Sequence, residues 1–328
     1  MNIKAHRKVE VPRGEIELQV KKPNGDLETL PITNKILNEG MKRLYAQDDA
    51  RTPWDMFRSY FAVGRGTTEI GFFDSTLTDQ VTKSGNETLA EPTGQRVVIN
   101  GKPYRKFTAT YQFGIGDVVG NIGEMGLCAS NDTLWTFALV RDTDGNPTTI
   151  TVLEEEQLAV IYSFFIHFSD DDDGTQTSGA WDVVEELYSG VHSVGGTDTQ
   201  VTITSLTGRL DLNNNNETPR VFDANIYSPL LNAYRLYAYW TNDQDQSQNL
   251  WVNGDNGGPT VTRTENSTGF VSQVSGRVTP AAGNMDIERI RIGSYNVNIF
   301  FDPPIPKTEN DDFQFSFDYE ISWSDPDA

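Results

Sequence analysis

Tyr104–Phe168 reads YRKFTATYQFGIGDVVGNIGEMGLCASNDTLWTFALVRDTDGNPTTITVLEEEQLAVIYSFFIHF. Its last part, Glu154–Phe168, places an acidic triplet ahead of a long apolar-rich run that ends on an aromatic. The chain closes on the same plan, ENDDFQFSFDYEISW, Glu309–Trp323. Phe313, Phe315, Phe317, Tyr319, Ile321 and Trp323 fall on one face of that segment. Gln314, Ser316, Asp318, Glu320 and Ser322 fall on the other. A period of two is the mark of a half-buried strand in an antiparallel sheet. Left at an edge, such a strand invites pairing with a neighbouring subunit.

The echo extends upstream. Ile122–Leu127 (IGEMGL) can be laid on Ile287–Ile292 (IERIRI), and Leu134–Phe137 (LWTF) on Val297–Phe300 (VNIF). Two diverged copies of one β-domain explain the match. So does the shared rhythm that composition imposes on antiparallel β-proteins. With 328 residues, the expectation is a mainly β chain of two antiparallel β-sandwich domains. They are placed at 1–168, with an amphipathic helix over 33–47, and at 181–328, joined by a linker over 169–180.

Composition narrows the function classes. The net charge is −21, and the one basic cluster, His6-Arg7-Lys8, is short and followed by Glu10. A groove that grips phosphate needs clustered Lys and Arg, so nucleic acid is not the expected partner. There is no run of about twenty apolar residues to span a membrane. The N-terminal residues carry charge throughout and no apolar core, so no secretory leader is expected. A single cysteine, Cys128, excludes an internal disulfide and a cysteine zinc site. It reads as a small core residue on a strand. His6, His167 and His192 lie far apart in sequence and start no metal motif.

Along the chain, Val9–Leu30 alternates around the turn Asn24-Gly25-Asp26 and predicts a hairpin. Ile16, Leu18 and Val20 face one way. Thr33–Gln47 carries Ile36, Leu37, Met41, Leu44 and Tyr45 at helical spacing, with Thr33 or Asn34 as its cap. Gly40 weakens that helix by about 1 kcal/mol, so packing must hold it. Tyr60–Val63 reads as a buried strand running into Gly64-Arg65-Gly66. A phosphate loop needs a following helix and usually a Lys, and here Glu69 follows instead. Leu77–Val81 is expected to be a turn or short helix leading into a polar loop over 83–94. Asn100-Gly101 predicts a second hairpin.

Four runs taken together suggest a family: ITNKILNEGMKRL, FAVGRGTTEIGFFDSTLTDQV, FTATYQFGIGDVVGNIGEMGL and LWTFALV with TVLEEEQLAVIYSF. Their order resembles virion structural proteins of tailed bacteriophages, among them attachment domains of tail and head fibres and related neck and tail proteins. In that pattern a short helix is followed by a VGxGT strand end, a T-L turn, a strand ending GxxxExGL, an aromatic strand and an alternating closing strand. The resemblance covers about residues 32–168. The segment CASNDTLWTF and the length after residue 168 depart from a simple fibre base. It implies a non-catalytic assembly and attachment module of the tail or neck, located in the virion. It also implies other virion proteins and copies of itself as partners, in a cyclic homo-oligomer. No catalytic, cofactor or metal residue is carried over, and no nucleic acid or membrane partner is implied.

Two alternatives stand beside it: a capsid decoration or head-fibre protein, and a carbohydrate-binding or carbohydrate-cleaving β-domain. The second would stack sugars on Tyr237, Tyr239, Trp240 and Trp251. The interface candidates are Trp54 and the triplet Leu250-Trp251-Val252, apolar groups set in polar loops. Asp170–Gly174 (DDDDG) lacks the first and last ligands of an EF-hand and reads as a polar break, with a looser calcium loop as the alternative. Asp142–Asn146 reads as a turn first and an ion site second. Trp181–Tyr188 is a short helix or a connection. Asp302–Pro306 (DPPIP) is expected to be a rigid turn.

Overall fold

A computed structural model describes residues 2–8, 11–45, 60–85, 87–89, 95–167, 186–187, 190–194, 197–207, 236–240, 260–278, 285–292, 297–307, 310 and 313–326. The chain is mainly β, largely antiparallel, with one helix among the described residues. It divides into two compact bodies. The first comprises Glu10–Leu44, Arg51–Phe168 and Ser324–Ala328; the second comprises Met1–Val9, Tyr45–Ala50 and Ser169–Trp323. Strand β1 (Asn2–Lys8) thus opens the chain but belongs by its contacts to the second body.

In the first body, β2 (Arg13–Lys21) and β3 (Leu27–Ile36) form the expected hairpin, with Gly25 in the left-handed region at φ 90°. Ile16, Leu18 and Val20 are buried, and Glu15, Glu17 and Gln19 between them are partly exposed. The helix is shorter than the apolar spacing suggested. α1 spans Asn38–Tyr45, and residues 33–36 belong to β3. The cause is competition for the backbone. Thr33 and Asn34 pair with Glu15 and Gly14, and Ile36 pairs with Thr136, so neither Thr33 nor Asn34 is free to cap a helix. The first intrahelical bond instead runs from Met41 N to Leu37 O at 2.9 Å.

Next come β4 (Tyr60–Gly64), β5 (Gln80–Ser84), β6 (Glu87–Leu89), β7 (Gln95–Ile99) and β8 (Lys102–Gln112). Strands β5 and β6 occupy part of the segment read as a polar loop, and of the turn or short helix expected over Leu77–Val81, residues 78 and 79 form a bend and Gln80 and Val81 are strand. Asn100 and Gly101, at φ 52° and 77°, make the β7–β8 hairpin turn that Asn-Gly favours. Then follow β9 (Gly120–Ile122), β10 (Glu124–Cys128), β11 (Thr136–Leu139), β12 (Ile150–Val152) and β13 (Gln157–His167).

Ten of these strands form one sheet in the order β5-β4-β10-β11-β3-β2-β13-β8-β6, with β7 also on β8. Its two ends are consecutive in sequence. Ser84 closes β5 and Glu87 opens β6, a span of roughly 11 Å at most. The Ser84 hydroxyl donates to Gln112 O of β8 at 2.6 Å. The sheet therefore curls nearly into a barrel. Phe61 of β4 meets Tyr111 of β8 at 5.4 Å and Tyr162 of β13 at 6.2 Å between ring centroids. Phe107, Phe164, Leu18 and Val160 complete an interior filled by side chains. Each such burial contributes about 1.5–3 kcal/mol.

Strands β10 and β11 are buried at every position rather than alternately. They are covered twice. Ala62, Cys128, Leu134 and Leu139 pack with Leu37, Ile70 and Leu77, which come from the start of the helix and the β4–β5 loop. Gly40 permits this cover, because a Cβ there would lie 2.2 Å from Trp135 O.

The second body holds β14 (Glu186–Leu187), β15 (Gly190–Val194), β16 (Thr197–Thr207), β17 (Leu236–Trp240), β18 (Thr260–Asn266), β19 (Gly269–Val278), β20 (Met285–Ile292), β21 (Val297–Lys307) and β22 (Phe313–Ser322). They form two five-stranded sheets, β14-β1-β22-β19-β18 and β15-β16-β21-β20-β17. The segment DPPIP is no turn; it lies inside β21. The β20–β21 register shifts between Ile287 and Arg289, so Pro303 and Pro304 stand where that ladder makes no pair. The final strand is interior to its sheet, with β1 on one side and β19 on the other. Of the helix considered for Trp181–Tyr188, the described residues Glu186–Leu187 are strand. The proposed linker 169–180 lies outside the described residues.

Candidate functional site

The residues that carry the family resemblance meet at one side chain, the carboxylate of Glu124. Glu124 lies on β10 and is fully buried. Its carboxylate accepts from Thr78 N at 3.0 Å, Thr78 Oγ1 at 2.9 Å, Asp79 N at 2.6 Å and Gly66 N at 3.3 Å. The Glu of GxxxExGL thus binds the loop that runs from VGxGT to the T-L turn. Four hydrogen bonds to one buried carboxylate together fix a loop that has no strand of its own.

The glycines of the motif follow from this packing. A Cβ at Gly64 or Gly66 would lie 2.6 Å from Glu124 Oε1. One at Gly123 would lie 2.4 Å from Gly66 O, and one at Gly126 would lie 1.8 Å from Thr136 O. The Gly-rich loop is shaped to hold the protein's own carboxylate, so its amides are not offered to a phosphate.

From this lock, contacts lead outward to the end of the barrel. Gly123 N donates to Gly64 O at 2.9 Å, and Arg65 Nη2 reaches Val119 O at 3.5 Å. Two tight turns stand there. In the first, Gly114 N donates to Asp117 Oδ2 at 2.8 Å and Asp117 N to Gly114 O at 3.1 Å. In the second, Leu153 N donates to Glu156 Oε2 at 2.8 Å and Glu156 N to Leu153 O at 3.1 Å. The turns adjoin, since a Cβ on Gly116 would lie 3.5 Å from Glu154 O. The β9–β12 ribbon pairs Val152 with Gly120, which brings Leu153 to the level of Val119.

Each turn presents an aliphatic side chain to solvent. Ile115 is 67% exposed, Leu153 48% and Val119 40%. Asp117, Glu154 and Glu155 are exposed around them. Elsewhere on this body, the turn Gly71–Asp74 holds Phe72 in the core and leaves Phe73 59% exposed. That turn is anchored by Asn38 N donating to Phe72 O at 2.9 Å. Large apolar groups held in solvent by rigid turns are suited to protein contact.

The titrating groups serve structure. Asp142 caps its own turn, accepting from Asn146 N at 2.8 Å and Asp144 N at 3.0 Å, and those amides hold its carboxyl below the usual range. The turn reading of Asp142–Asn146 therefore applies. Cys128 is buried, and burial pushes its thiol up to about 11. Lys83 donates to Asp132 Oδ1 at 2.7 Å, which raises the lysine and lowers the acid.

Among the described residues no group of three His, Cys, Asp or Glu could hold a metal ion, and no helix is long and apolar enough to cross a membrane. Trp54, Leu250, Trp251 and Val252 lie outside the described residues, as does Asp170–Gly174. The sequence did not single out Ile115, Leu153 or Phe73. The available signal was an apolar residue between turn formers, in GIGD, VLEEE and GFFD. Glu124 was visible only as one letter of a motif; an acid inside the apolar run IGEMGLC is the sign of a buried acceptor. In comparison with known proteins, no family model matches the chain, and neither a curated protein nor a solved structure matches it.

Proposed function

We propose that this chain is a structural protein of a tailed-bacteriophage particle, an oligomeric assembly and attachment module of the tail or neck without catalysis. The two five-stranded sheets of the second body would pack face to face as a sandwich, and the first body would serve as a rigid barrel-like mount.

The observation that supports this most directly is the Glu124 lock. The residues that carry the resemblance to phage virion proteins are spent on internal rigidity. Gly64, Gly66, Thr78, Asp79 and Glu124 are bound to one another and offer no reactive group. What the lock stiffens is the end that carries Ile115, Val119 and Leu153. A part that works by geometry needs such a mount. Closed cyclic assembly suits it, because virion parts follow the symmetry of the particle.

Two measurements test the reading. The mass of the purified chain by sedimentation should be a small multiple of the protomer, and averaged electron micrographs should show a ring. An antibody to the chain should decorate the tail or neck of phage particles. A monomer that binds or cleaves glycans tightly would replace this reading with the carbohydrate one. Decoration spread over the capsid surface would move the protein to the head.

A further inference from the structure

We propose that the end of the first body's sheet at which β2 and β8 finish and β13 begins is a docking surface for a cationic protein partner. Its exposed aliphatic side chains meet apolar groups on that partner, and its acids face Lys and Arg residues around them. The inference rests on the structural reading above and supplies the chemistry of its attachment contact.

Register brings three turns to this end. Leu27 pairs with Lys21, Lys21 with Gln157, and Gln112 with Ala159. The β2–β3, β12–β13 and β8–β9 turns therefore leave neighbouring strands at one end of the sheet. Phe113 N donates to Leu158 O and Gln157 Nε2 donates to Phe113 O, both at 3.0 Å, which ties the last two together. Among the described residues six large apolar side chains are exposed, and four of them, Leu27, Ile115, Val119 and Leu153, stand on these turns. The other two lie elsewhere. Phe73 is in the turn anchored to the start of the helix, past the far end of β3, and Val98 is in the β7–β8 hairpin, opposite Pro103.

These side chains are held out by a fixed backbone. Phe113, Val118 and Val152 are buried, each one or two positions from an exposed aliphatic. The carboxylates of Asp117 and Glu156 close the two turns between them. A single exposed aliphatic is ordinary; four at one end of a sheet mark a contact surface. Groups already held in place lose little freedom on binding.

Charge selects the occupant. Residues 22–28, 113–119 and 153–156 hold five exposed acids, Asp26, Glu28, Asp117, Glu154 and Glu155. They hold one base, Lys22, which pairs with Glu28 at 3.3 Å. Among the described residues Asp117, Glu154 and Glu155 have no cationic partner. Arg65, beside them, is turned to Val119 O at 3.5 Å. An apolar centre rimmed by such acids complements one rimmed by Lys and Arg. The same charges disfavour two other occupants. A second copy of this end would set five acids against five, and anionic lipid headgroups would be repelled.

Defined probes test the surface. A peptide of alternating Leu and Lys, its Leu/Glu counterpart and vesicles of anionic phospholipid are each titrated into the full chain, with hydrogen exchange read peptide by peptide. The Leu/Lys peptide should protect residues 113–119 and 153–156, and the other two probes should not. Ile115→Ser combined with Leu153→Ser should weaken that binding about tenfold or more. Phe73→Ser should leave it unchanged. Glu154→Lys combined with Glu155→Lys should slow association and flatten its dependence on salt. All these positions are exposed, so the variants should keep the parent's circular dichroism.

Protection spread over the whole chain, or binding that the Ile115/Leu153 variant retains, would mean that net charge alone attracts the peptide, and overturns the proposal. Vesicle binding through these turns would put lipid in the partner's place. Self-association abolished by the same double variant would put a second copy there. Either result overturns it. A chain that forms rings and gives no such footprint loses the surface and keeps the structural reading. A footprint on a monomer absent from phage particles keeps the surface and removes that reading.

Discussion

The two closing strands, β13 and β22, are alike in sequence and unlike in company. Both follow acidic residues and end near an aromatic; β22 alternates apolar with polar residues, whereas β13 alternates in burial only up to Tyr162, after which Ser163, Phe164 and Phe165 are buried in succession. Strand β13 has antiparallel neighbours on both sides, β2 and β8, within its own body. Strand β22 has β19 antiparallel on one side and the chain's first strand parallel on the other. The hairpins upstream differ in the same way. β10 and β11 share one curled sheet with β13, whereas β20 and β21 lie in a different sheet from β22. Order along the chain is shared, and sheet topology is not. Alternation determines which side chains a strand buries; it does not determine which edge it joins.

The comparison of the two bodies can be tested from within the first. In the first, Glu124 ties a loop to the sheet from inside. Glu124→Ala would leave the amides of Gly66, Thr78 and Asp79 without their acceptor, at a cost of about 4 kcal/mol or more. Hydrogen exchange read peptide by peptide should show protection falling in the first body and unchanged in strands β19–β22. A fall in both would mean that the bodies unfold as one cooperative unit. Gly126→Ala comes next. Its Cβ would meet the backbone oxygen of Thr136, which cannot rotate away, and overpacking of this kind costs about 3 kcal/mol. The same exchange map should place the loss around β10 and β11.

These two residues also show how much was visible beforehand. The hairpins at Gly25 and at Asn100-Gly101, the buried faces of β2 and β13, and the β character of both halves could be read, because period and turn chemistry are local. The helix start could not. Thr33–Ile36 fits a helix and a strand, and only pairing with β2 and β11 decides between them. DPPIP reads as a turn until a register shift in the neighbouring strand gives the prolines room. The role of Glu124 depends on loops some 45 to 58 residues away, so no window of sequence contains it. Gly40 reads as a helix weakness; it is the point where the helix backs onto Trp135.

A third effect is confined to the first body and set by pH. Cys128 has a thiol raised from 9.0 to about 11 by burial. Its contribution is complete below pH 9 and is lost as pH rises through about 11, because the unfolded thiol ionises first. A difference of about two pKa units corresponds to roughly 2.7 kcal/mol at most. Denaturant unfolding of Cys128→Ser and of the parent, compared at pH 7.5 and pH 10.5, should show the parent losing more stability. Equal losses would mean that the thiol is not desolvated. Thiol labelling at pH 8 should require opening of the first body and be indifferent to changes at β1.

The smallest expected effect lies at the Lys83–Asp132 pair on the rim of the same body. Lys83 also donates to Ser130 O at 2.5 Å, and Gln80 donates to Asp132 at 3.0 Å. The side chains are 23% and 48% exposed, so solvent screens the pair and its worth is about 0.5 kcal/mol. Asp132 has a φ of 67°, which Asn tolerates and a β-branched residue does not. Asp132→Asn therefore removes the charge without straining the turn, and Asp132→Val adds the strain. The first should cost about 0.5 kcal/mol, less in high salt; the second should cost at least 1 kcal/mol more at any salt. The lowered Asp132 pKa gives the sign with pH. The pair's contribution is present above the ordinary carboxylate range and lost as acid protonates Asp132. Equal losses for the two variants would mean that charge, and not backbone conformation, selects the residue at this turn.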